Sequence, residues 1–334
     1  MDIDEPILAT GDVRPPPPTS MRVLNCVSTN ITPLLTVLRS IGFMPRALVR
    51  ISSSGMKFSV ENSRAQQALA FLDKTMFSTY EYVPPIATSR PSTAGSSLSQ
   101  EDEEVRQPHA QFTISLSAML ECLQIFSADA RDRPRVAPQV NATDAMILRS
   151  GTCRMVYEGE GSSFILMMEE GGVVTTCELT TYEPEEQLDI SLAEGGLAQK
   201  IIMKAEWLHD AIQELETTSP EVITIRSSPR RPHFRLSSRG SLGSTEMDYP
   251  NDRTVLETFI CPELIENSYR FTMIRHAIKA MSLATKVSVR ADEDGVMSMQ
   301  FMIDVGEGHF SFVDFRFLPE LEDENERGNE STQL

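Results

Sequence analysis

The chemistry that this sequence could carry out begins with two short carboxylate runs, at residues 2–5 and 292–294. Hydrolysis of nucleic acid by two metal ions needs three or four carboxylates that converge from rigid elements on cations about 4 Å apart. Residues 2–5 lie in an acidic tail, and residues 292–294 precede Gly295 in a predicted hairpin turn. Neither run has a partner motif on a strand. A nuclease is therefore an open alternative that the carboxylates do not favour.

The motifs of other catalytic classes are absent from the sequence. It contains no Gly-x-Ser-x-Gly elbow, no phosphate-binding loop that ends in Gly-Lys, and no His-Glu-x-x-His helix. The cysteines stand at wide spacings without a Cys-x-x-Cys pair, which is typical of buried thiols in a reducing compartment. The sequence therefore predicts a protein that is not an enzyme and that holds no metal and no cofactor.

Four amphipathic helices are the elements that position the remaining candidate residues. Each helix follows an apolar strand and carries one apolar stripe. In the first helix, Ile31, Leu34, Leu35 and Leu38 have the spacing that places side chains on one face of a 3.6-residue period. The helices are predicted at residues 30–42, 116–127, 205–216 and 272–283.

After each helix the hydrophobic period switches to two, as expected for strands with one buried face. Met56, Phe58 and Val60 alternate with polar residues, and turns marked by Gly or Pro separate the strands. The helices are too few and too widely spaced for a fold in which parallel strands alternate with helices. The predicted fold class is therefore α+β, with antiparallel sheets built from hairpins.

Size and charge bound the class of protein. A chain of 334 residues suits two domains, so the four units are expected to pair two and two. No apolar run is long enough to span a membrane, and the N-terminus lacks the apolar core of a signal peptide, so an intracellular protein without membrane association is expected. The net charge of -18 argues against nucleic-acid binding over the whole surface, but it permits a local basic track.

Composition shifts suggest the domain boundaries. A Pro/Ser/Thr-rich stretch separates the first two units, and a segment with acids and paired glycines separates the second from the third. The predicted organisation is a disordered tail at 1–20, a first domain at 21–182 with a disordered insertion at 84–108, a linker at 183–199, a second domain at 200–318 and an acidic disordered tail at 319–334.

Two Ser/Thr-Gln dipeptides fall in the segments predicted to be disordered. Ser99 precedes Gln100, and Thr332 precedes Gln333. Such dipeptides match the preference of the checkpoint kinases related to phosphoinositide kinases, and disorder gives a kinase access. Because the same dipeptides also arise by chance, Ser99 and Thr332 are candidate phosphosites only.

Several strings, in collinear order, resemble the Rad1 family, which supplies one subunit of the heterotrimeric nine-one-one checkpoint clamp. The strings are residues 113–123, 234–238 with 247–250, and 286–290 with 300–303. The duplicated helix-and-hairpin units resemble proliferating-cell nuclear antigen, and the likeness runs from about residue 20 to 320. It implies a sliding clamp fold: a crescent whose sheets form the outer wall of a ring and whose helices line its inner face around duplex DNA.

The resemblance also implies a DNA-facing lumen, because Arg39 and Lys279 fall on positions where clamps carry lumen lysines. Cations there would contact phosphates without reading base sequence. The polar faces of the second helix (Glu121) and third helix (Glu206) depart from this pattern, which suits a ring whose other subunits contribute cations. The expected DNA-facing set is Arg39, Lys200, Lys204, His209, Arg275, Lys279 and Lys286.

Ring closure requires free strand edges, and the resemblance implies two edges and a client groove. Exposed edges pair readily with another chain. The first predicted edge contains Val173, Val174, Thr175, Cys177 and Leu179, and the second contains Ser241, Leu242, Met247 and Tyr249. A groove for client peptides beneath the linker is expected at Phe43, Met44, Leu188, Ile190 and Leu192.

The resemblance implies a non-catalytic nuclear subunit that assembles with two other clamp-fold subunits. A clamp loader would place the ring on double-stranded DNA without sequence specificity, where it would serve as a platform for checkpoint and repair proteins. Members related to this family have been described as 3′→5′ exonucleases, which keeps that activity as an alternative. A homotrimeric replicative clamp is another alternative, although the uneven charge of the helices favours the checkpoint subunit.

Overall fold

The computed structural model describes residues 22–85, 109–127, 152–170, 172–193, 196–306 and 308–320. The first half of the chain contains β1 (Leu24–Ser28), α1 (Ile31–Ser40), β2 (Arg46–Ile51), β3 (Gly55–Asn62), β4 (Gln66–Asp73), a 3₁₀ turn (Lys74–Met76), β5 (Thr79–Tyr82), β6 (Ala110–Ser115), α2 (Leu116–Ser127), β7 (Thr152–Tyr157), β8 (Phe164–Glu170) and β9 (Val173–Leu179). The second half contains β10 (Gln199–Lys204), α3 (Ala205–Glu216), β11 (Pro220–Ser227), β12 (Phe234–Gly240), β13 (Gly243–Tyr249), β14 (Leu256–Ile260), β15 (Ile265–Arg270), α4 (Phe271–His276), α5 (Ile278–Leu283), β16 (Ala284–Ala291), β17 (Met297–Gly306) and β18 (His309–Phe317).

The helices form where the sequence predicts them, with one difference. Asn30 caps α1 by accepting a hydrogen bond from the Thr32 backbone N–H at 3.1 Å, which satisfies one of the free donors of the first turn. The structure confirms the predicted bounds of α2 and α3. The fourth predicted helix is interrupted, because the N–H of Ala277 bonds to the carbonyl of Ile274, three residues back, before α5 begins.

The described strands form three antiparallel sheets, and the neighbour order of β1–β9 is repeated by β10–β18. One sheet runs β5-β1-β7-β8-β9, and another runs β13-β12-β11-β15. The central sheet has nine strands in the order β14-β10-β16-β17-β18-β4-β3-β2-β6. It is therefore composed of the second-half counterpart of the five-stranded sheet and the first-half counterpart of the four-stranded sheet.

The two halves meet where β18 pairs with β4 in the central sheet, from Val313 opposite Ala70 to Phe317 opposite Gln66. Gln66 is fully buried there. Its amide donates to the Met273 carbonyl at 2.9 Å, and its oxygen lies 2.8 Å from Nδ1 of His276. One continuous apolar core includes residues of both halves.

The described helices cover one face of the sheets and lie in a row. α2 contacts α1, α1 contacts α5, and α5 contacts α3. In β17 and β18 the buried residues alternate with more exposed ones, so the helix-covered face and the outer face of the central sheet are distinct. No described helix is long and apolar enough to cross a membrane.

Between β9 and β10 the chain crosses the outer face of the central sheet as an extended segment. The N–H of Leu188 donates to Glu61 at 2.8 Å, and Arg316 donates to the Ile190 carbonyl at 2.8 Å. The N–H of Ala193 donates to Asp292 at 2.9 Å. This linker is therefore bonded to strands of both halves along its described length.

Candidate nucleic-acid interface and strand edges

The centre of the helix layer presents cations away from the sheets. Arg39 of α1, Arg275 of α4 and Lys279 of α5 are exposed. The Nε of Arg275 lies 3.0 Å from Oε1 of Glu216 in α3. Among the ion pairs of the described residues, none involves Arg39 or Lys279, so these two side chains have charge available for an external anion.

The flanking helices have no exposed cation among their described residues; α2 presents one acid and α3 presents several. Glu121 is exposed on α2, and Glu206, Asp210 and Glu214 are exposed on α3. His209, which the sequence placed in the DNA-facing set, is half-buried with Nδ1 3.2 Å from Oδ1 of Asp210. The helix layer is thus basic in the middle and acidic at both ends.

Lys200, Lys204 and Lys286 do not join the central cations. Lys200 and Lys286 alternate with Ile201 and Val287, which are fully buried on the face that α3 covers, so both lysines project from the outer face of the sheet. Their assignment to the lumen was therefore wrong, because each was assigned from its nearness in sequence to a helix. Lys286 pairs with Glu257 at 2.7 Å. Lys204 precedes α3 and lies 5.3 Å from the ring of Trp207.

The strand β9 forms one end of the five-stranded sheet and pairs only with β8 among the described strands. Val173 and Val174 are 63% and 62% exposed at its start. Thr175, Cys177 and Leu179 alternate with exposed residues, and Leu179 is buried. The predicted first edge thus lies on a strand whose second side has no described neighbour.

The strand β13 forms one end of the four-stranded sheet and pairs with β12 alone within the described part of the chain. Arg235 of β12 holds Asp248 through two hydrogen bonds, of 2.6 and 2.9 Å. Burial raises the pKa of Tyr249 to about 12, and its hydroxyl donates to the Trp207 carbonyl at 3.1 Å. Ser241 is exposed and Leu242 is 75% exposed in the preceding turn, whereas Met247 is half-buried.

The residues predicted to line a client groove lie on both faces of the central sheet. Phe43 stacks on His276 at 4.6 Å and contacts Phe315, so it lies on the helix side. Leu188 and Ile190 lie on the outer side. A strand layer therefore separates the two sets, and they do not form one groove. Met44 packs against the core, and Leu192 is half-buried.

The sequence reasoning missed an apolar patch on the outer face of the central sheet. Phe310 and Phe312 of β18 are 46% and 47% exposed, and Met302 of β17 is the register partner of Phe312. The Ser311 hydroxyl donates to the Phe71 carbonyl at 2.9 Å, which keeps Phe71 of β4 beside them. The signal was present in the sequence, because Met302, Phe310 and Phe312 occupy the positions that are polar in most half-buried strands.

Of the carboxylates that suggested a nuclease, Asp292 has a structural role, whereas Glu293 and Asp294 are exposed. Asp292 is buried and accepts hydrogen bonds from the backbone N–H groups of Val296 and Ala193. Within the described ranges, no group of three His, Cys, Asp or Glu side chains could hold a metal ion. Residues 2–5 lie outside the described residues, as do the candidate phosphosites Ser99 and Thr332.

Comparison with known proteins identifies the family. The family described as repair protein Rad1/Rec1/Rad17 matches residues 23–303. The chain belongs to the Rad1 family. Human cell cycle checkpoint protein RAD1 is 34% identical to it over 293 residues, covering 88% of this chain and 90% of that protein. The DNA damage checkpoint control protein rad1 of Schizosaccharomyces pombe is 36% identical over 286 residues, covering 85% and 82%.

The fold of this Rad1-family chain is that of a sliding clamp. A proliferating cellular nuclear antigen from Entamoeba histolytica superposes with a TM-score of 0.64 at 12% identity, covering 90% of this chain and 100% of that one. The predicted fold class is confirmed. A more distant relative is named DNA repair exonuclease REC1, from Mycosarcoma maydis, at 23% identity over 408 residues, covering 85% of this chain and 88% of that protein.

Proposed function

We propose that this chain is a non-catalytic subunit of a heterotrimeric checkpoint clamp, which encircles double-stranded DNA and serves as a platform for checkpoint signalling and repair proteins. One observation supports the assembly. In the repeated strand order β9 is the counterpart of β18, and β13 is the counterpart of β4. Inside the chain β18 and β4 already pair. Pairing of β9 with the β13-like edge of a neighbour would therefore repeat a junction that the molecule contains.

The number of strands in each sheet supports closure of a ring by this pairing. A five-stranded sheet joined to a four-stranded sheet of the next subunit gives nine strands in the order seen in the central sheet. Edge strands with unpaired backbone groups favour addition of a strand from another chain. Each subunit would thus use one edge of each kind, and three subunits would close a ring.

The charge of the helix layer supports a ring of different subunits. Its helices carry Arg39, Arg275 and Lys279 against Glu121, Glu206, Asp210, Glu214 and Glu216. Because α2 contacts β9 and α3 contacts β13, a homotrimer would bring Glu121 of α2 near the acids of α3 at every junction, on the side that faces DNA. Two clamp-fold partners with basic helices would remove this repulsion.

Binding to DNA in this proposal is topological, with weak help from phosphate contacts. A closed ring leaves a duplex only at an end or by opening, so no base sequence has to be recognised. Arg39 and Lys279 supply the salt-dependent attraction. Opening of the closed ring requires a clamp loader, and action on genomic DNA places the complex in the nucleus.

Docking of a partner protein is supported by the outer apolar patch of Phe71, Met302, Phe310 and Phe312. Exposed contiguous apolar side chains on a soluble protein mark interaction sites. The patch lies on the outer wall, away from the helix layer, so it remains accessible when the lumen holds DNA. Its occupant is an apolar anchor residue of a partner protein.

Native mass measurement followed by DNA retention tests the proposal. The chain alone is expected to be a monomer, to form a 1:1:1 complex with two clamp-fold partners, and to stay on circular but not linear DNA after loading. A stable homotrimer would favour the replicative clamp instead. Magnesium-dependent degradation of linear DNA from its 3′ ends would favour the exonuclease that the name of REC1 suggests.

A further inference from the structure

The chain leaves its two halves through equivalent junctions. Tyr182 follows the last residue of β9 by three positions, and Glu320 follows the last residue of β18 by three positions. Tyr182 exchanges two backbone hydrogen bonds, of 2.8 and 2.9 Å, with Thr113 of β6. The N–H of Glu320 donates at 2.7 Å to the carbonyl of Ser268 in β15, the counterpart of β6. The segment after Glu320 therefore starts where the linker starts after Tyr182.

The linker crosses the first-half strands of the central sheet through charged contacts. Glu185, three residues after Tyr182, lies 3.7 Å from Arg46 of β2. The N–H of Leu188, six residues after Tyr182, donates at 2.8 Å to Glu61 of β3. Six residues are thus enough for the linker to pass from the edge strand β6 to the third strand of this part of the sheet.

The four-stranded sheet has a row of side chains at the equivalent place. Arg270 is the last residue of β15, as Ser115 is of β6, and Ser115 is the register partner of Arg46. The row of register partners that begins at β15 consists of Arg270, Val222, Arg239 and Ser244. Arg239 therefore occupies the position that Glu61 has under the linker.

This row lies on the outer face of the sheet and contains an unpaired cation. Ile223, next to Val222, is fully buried on the face that α4 covers, so Val222 and its register partners point outward. Arg270 holds the Glu320 carboxylate through two hydrogen bonds, of 2.6 and 2.9 Å. Arg239 is exposed, and its side chain has no hydrogen bond or ion pair among the described residues.

The acids of the same face limit what Arg239 can bind. Three of them are paired with other arginines: Glu246 and Asp248 with Arg235 at 2.7 and 2.6 Å, and Glu266 with Arg226 at 3.6 Å. Glu221, the extra residue of the β11 bulge, is exposed, has no ion pair within the described part of the chain, and opposes an acidic ligand. An acid that binds Arg239 therefore depends on direct contact with it, because the surroundings are not generally basic.

The sequence after Glu320 supplies an acid at the matching distance. This segment reads Leu-Glu-Asp-Glu-Asn-Glu and lies outside the described residues. Its last acid, Glu326, is six residues from Glu320, which is the spacing at which the linker reaches Glu61. Where the linker brings a backbone N–H to the carboxylate of Glu61, this segment brings a carboxylate to the guanidinium of Arg239. Six extended residues span about 20 Å, and the two strand spacings from β15 to β12 span about 10 Å.

We propose that residues 321–326 dock as an acidic strap across the outer face of the four-stranded sheet, with the Glu326 carboxylate bound to Arg239. An arginine and a carboxylate can form two parallel charge-assisted hydrogen bonds, which makes this pair strong. The strap is too polar to fold alone, but its attachment at Glu320 keeps it at an effective concentration of about 1 mM beside the sheet. A separate acidic partner lacks this advantage. The strap ends next to β13, so the inference goes beyond the proposed function and places an acidic segment of this chain beside an edge proposed for ring closure.

Cross-linking of the full chain with a water-soluble carbodiimide tests the inference, because this reagent joins a carboxylate to an amine that is in contact with it. Arg239→Lys supplies the amine. Mass spectrometry after digestion is expected to show position 239 joined to acids of residues 322–326 at about ten times the yield of position 230 in Arg230→Lys. Arg230 is the matched control, because it is exposed in the turn at the other end of β11 and β12. At about 1 M salt, which screens exposed charges, the yield at position 239 is expected to fall several-fold.

Equal yields at the two positions, or a yield at position 239 that salt does not change, would overturn the inference. Cross-links between light and heavy chains in an isotope-mixed sample would also overturn it, because the occupant would then be the strap of a second copy. The same holds if Glu326→Gln leaves the yield at position 239 unchanged. A labelled oligothymidylate that binds the wild-type chain and fails to bind Arg239→Gln would assign this face to nucleic acid instead. The assay uses the single chain, so it is independent of ring assembly, which native mass reports separately.

Discussion

In the proposed clamp, single residues in the middle of the helix layer would decide how strongly this chain attracts DNA. Lys279 is exposed and has no ion pair within the described residues, whereas Arg275 is paired with Glu216. Removing Lys279 therefore removes a free charge. Removing Arg275 also frees a carboxylate, so the two substitutions should not be treated as equivalent.

Lys279→Ala is expected to weaken retention of the loaded ring on DNA and to lower the slope of log K against log salt by about 0.9, the value for one phosphate contact. The slope is measured by salt titration of the assembled complex on circular DNA. Lys74→Ala, an exposed lysine away from the helix layer, is the matched control. An unchanged slope for Lys279→Ala would remove this residue from the DNA interface.

His276 should make the stability of the fold depend on pH. Burial lowers its pKa, and the charge of Arg275 lowers it further, so the folded chain binds a proton less readily than the unfolded chain. Between the depressed folded pKa and the ordinary value of 6.5, the unfolded state binds more protons, and stability falls as the pH falls through that window.

The pH effect is measured by urea denaturation from pH 7.5 downward, compared with His276→Gln. The glutamine amide can still donate to Gln66 but does not titrate. Most of the loss of stability just below pH 6.5 is expected to disappear in the variant. Parallel curves for the two proteins would show that His276 is not the group responsible.

At the scale of elements, the two edge strands proposed for ring closure, β9 and β13, have different chemistry. β9 begins with exposed valines, while β13 carries Asp248 held by Arg235. Backbone pairing alone would join any two edges. The side chains on these strands are therefore what can tell one partner from another.

Changing Val173 and Val174 together to Lys is expected to abolish assembly through β9 without unfolding the chain, because both side chains are already exposed. Native mass spectrometry with each partner measures the loss. Ile260→Lys is the control, since Ile260 is 53% exposed on β14 at the end of a different sheet. A full complex with the double variant would refute the role of β9.

The elements themselves were largely predictable, because periodicity reports local structure. The bounds of α2 and α3 came directly from their apolar stripes. The break at Ala277 did not, since the residues on both sides of it keep the same helical spacing. Lys200 and Lys286 were assigned to the wrong face because a strand's alternation gives two faces without saying which one the helices cover.

At the scale of the whole molecule, the two halves share one sheet and one core, so they are expected to unfold together. Phe315 lies at this joint, fully buried between Phe43, Phe301 and Phe317. Contacts between such distant positions leave no trace in sequence spacing. This is why Phe43 was predicted to lie in an outer groove when it packs on the helix side.

Phe315→Ala is expected to lower the free energy of unfolding by about 3–5 kcal/mol, and calorimetry should still show a single transition. Phe312→Ala, on the same strand but 47% exposed, is expected to cost less than about 1 kcal/mol. Two separate transitions in either protein would mean that the halves are independent folding units.

The difference between the edge strands β9 and β13 determines the symmetry of any ring that they form. Because β9 and β13 are different strands at opposite ends, a closed ring built from them is head-to-tail, and such rings have no two-fold axis across their plane. The ring therefore has a front and a back. The apolar patch has a fixed position relative to those two sides, so in the proposed clamp a docked protein would always point the same way along the enclosed duplex.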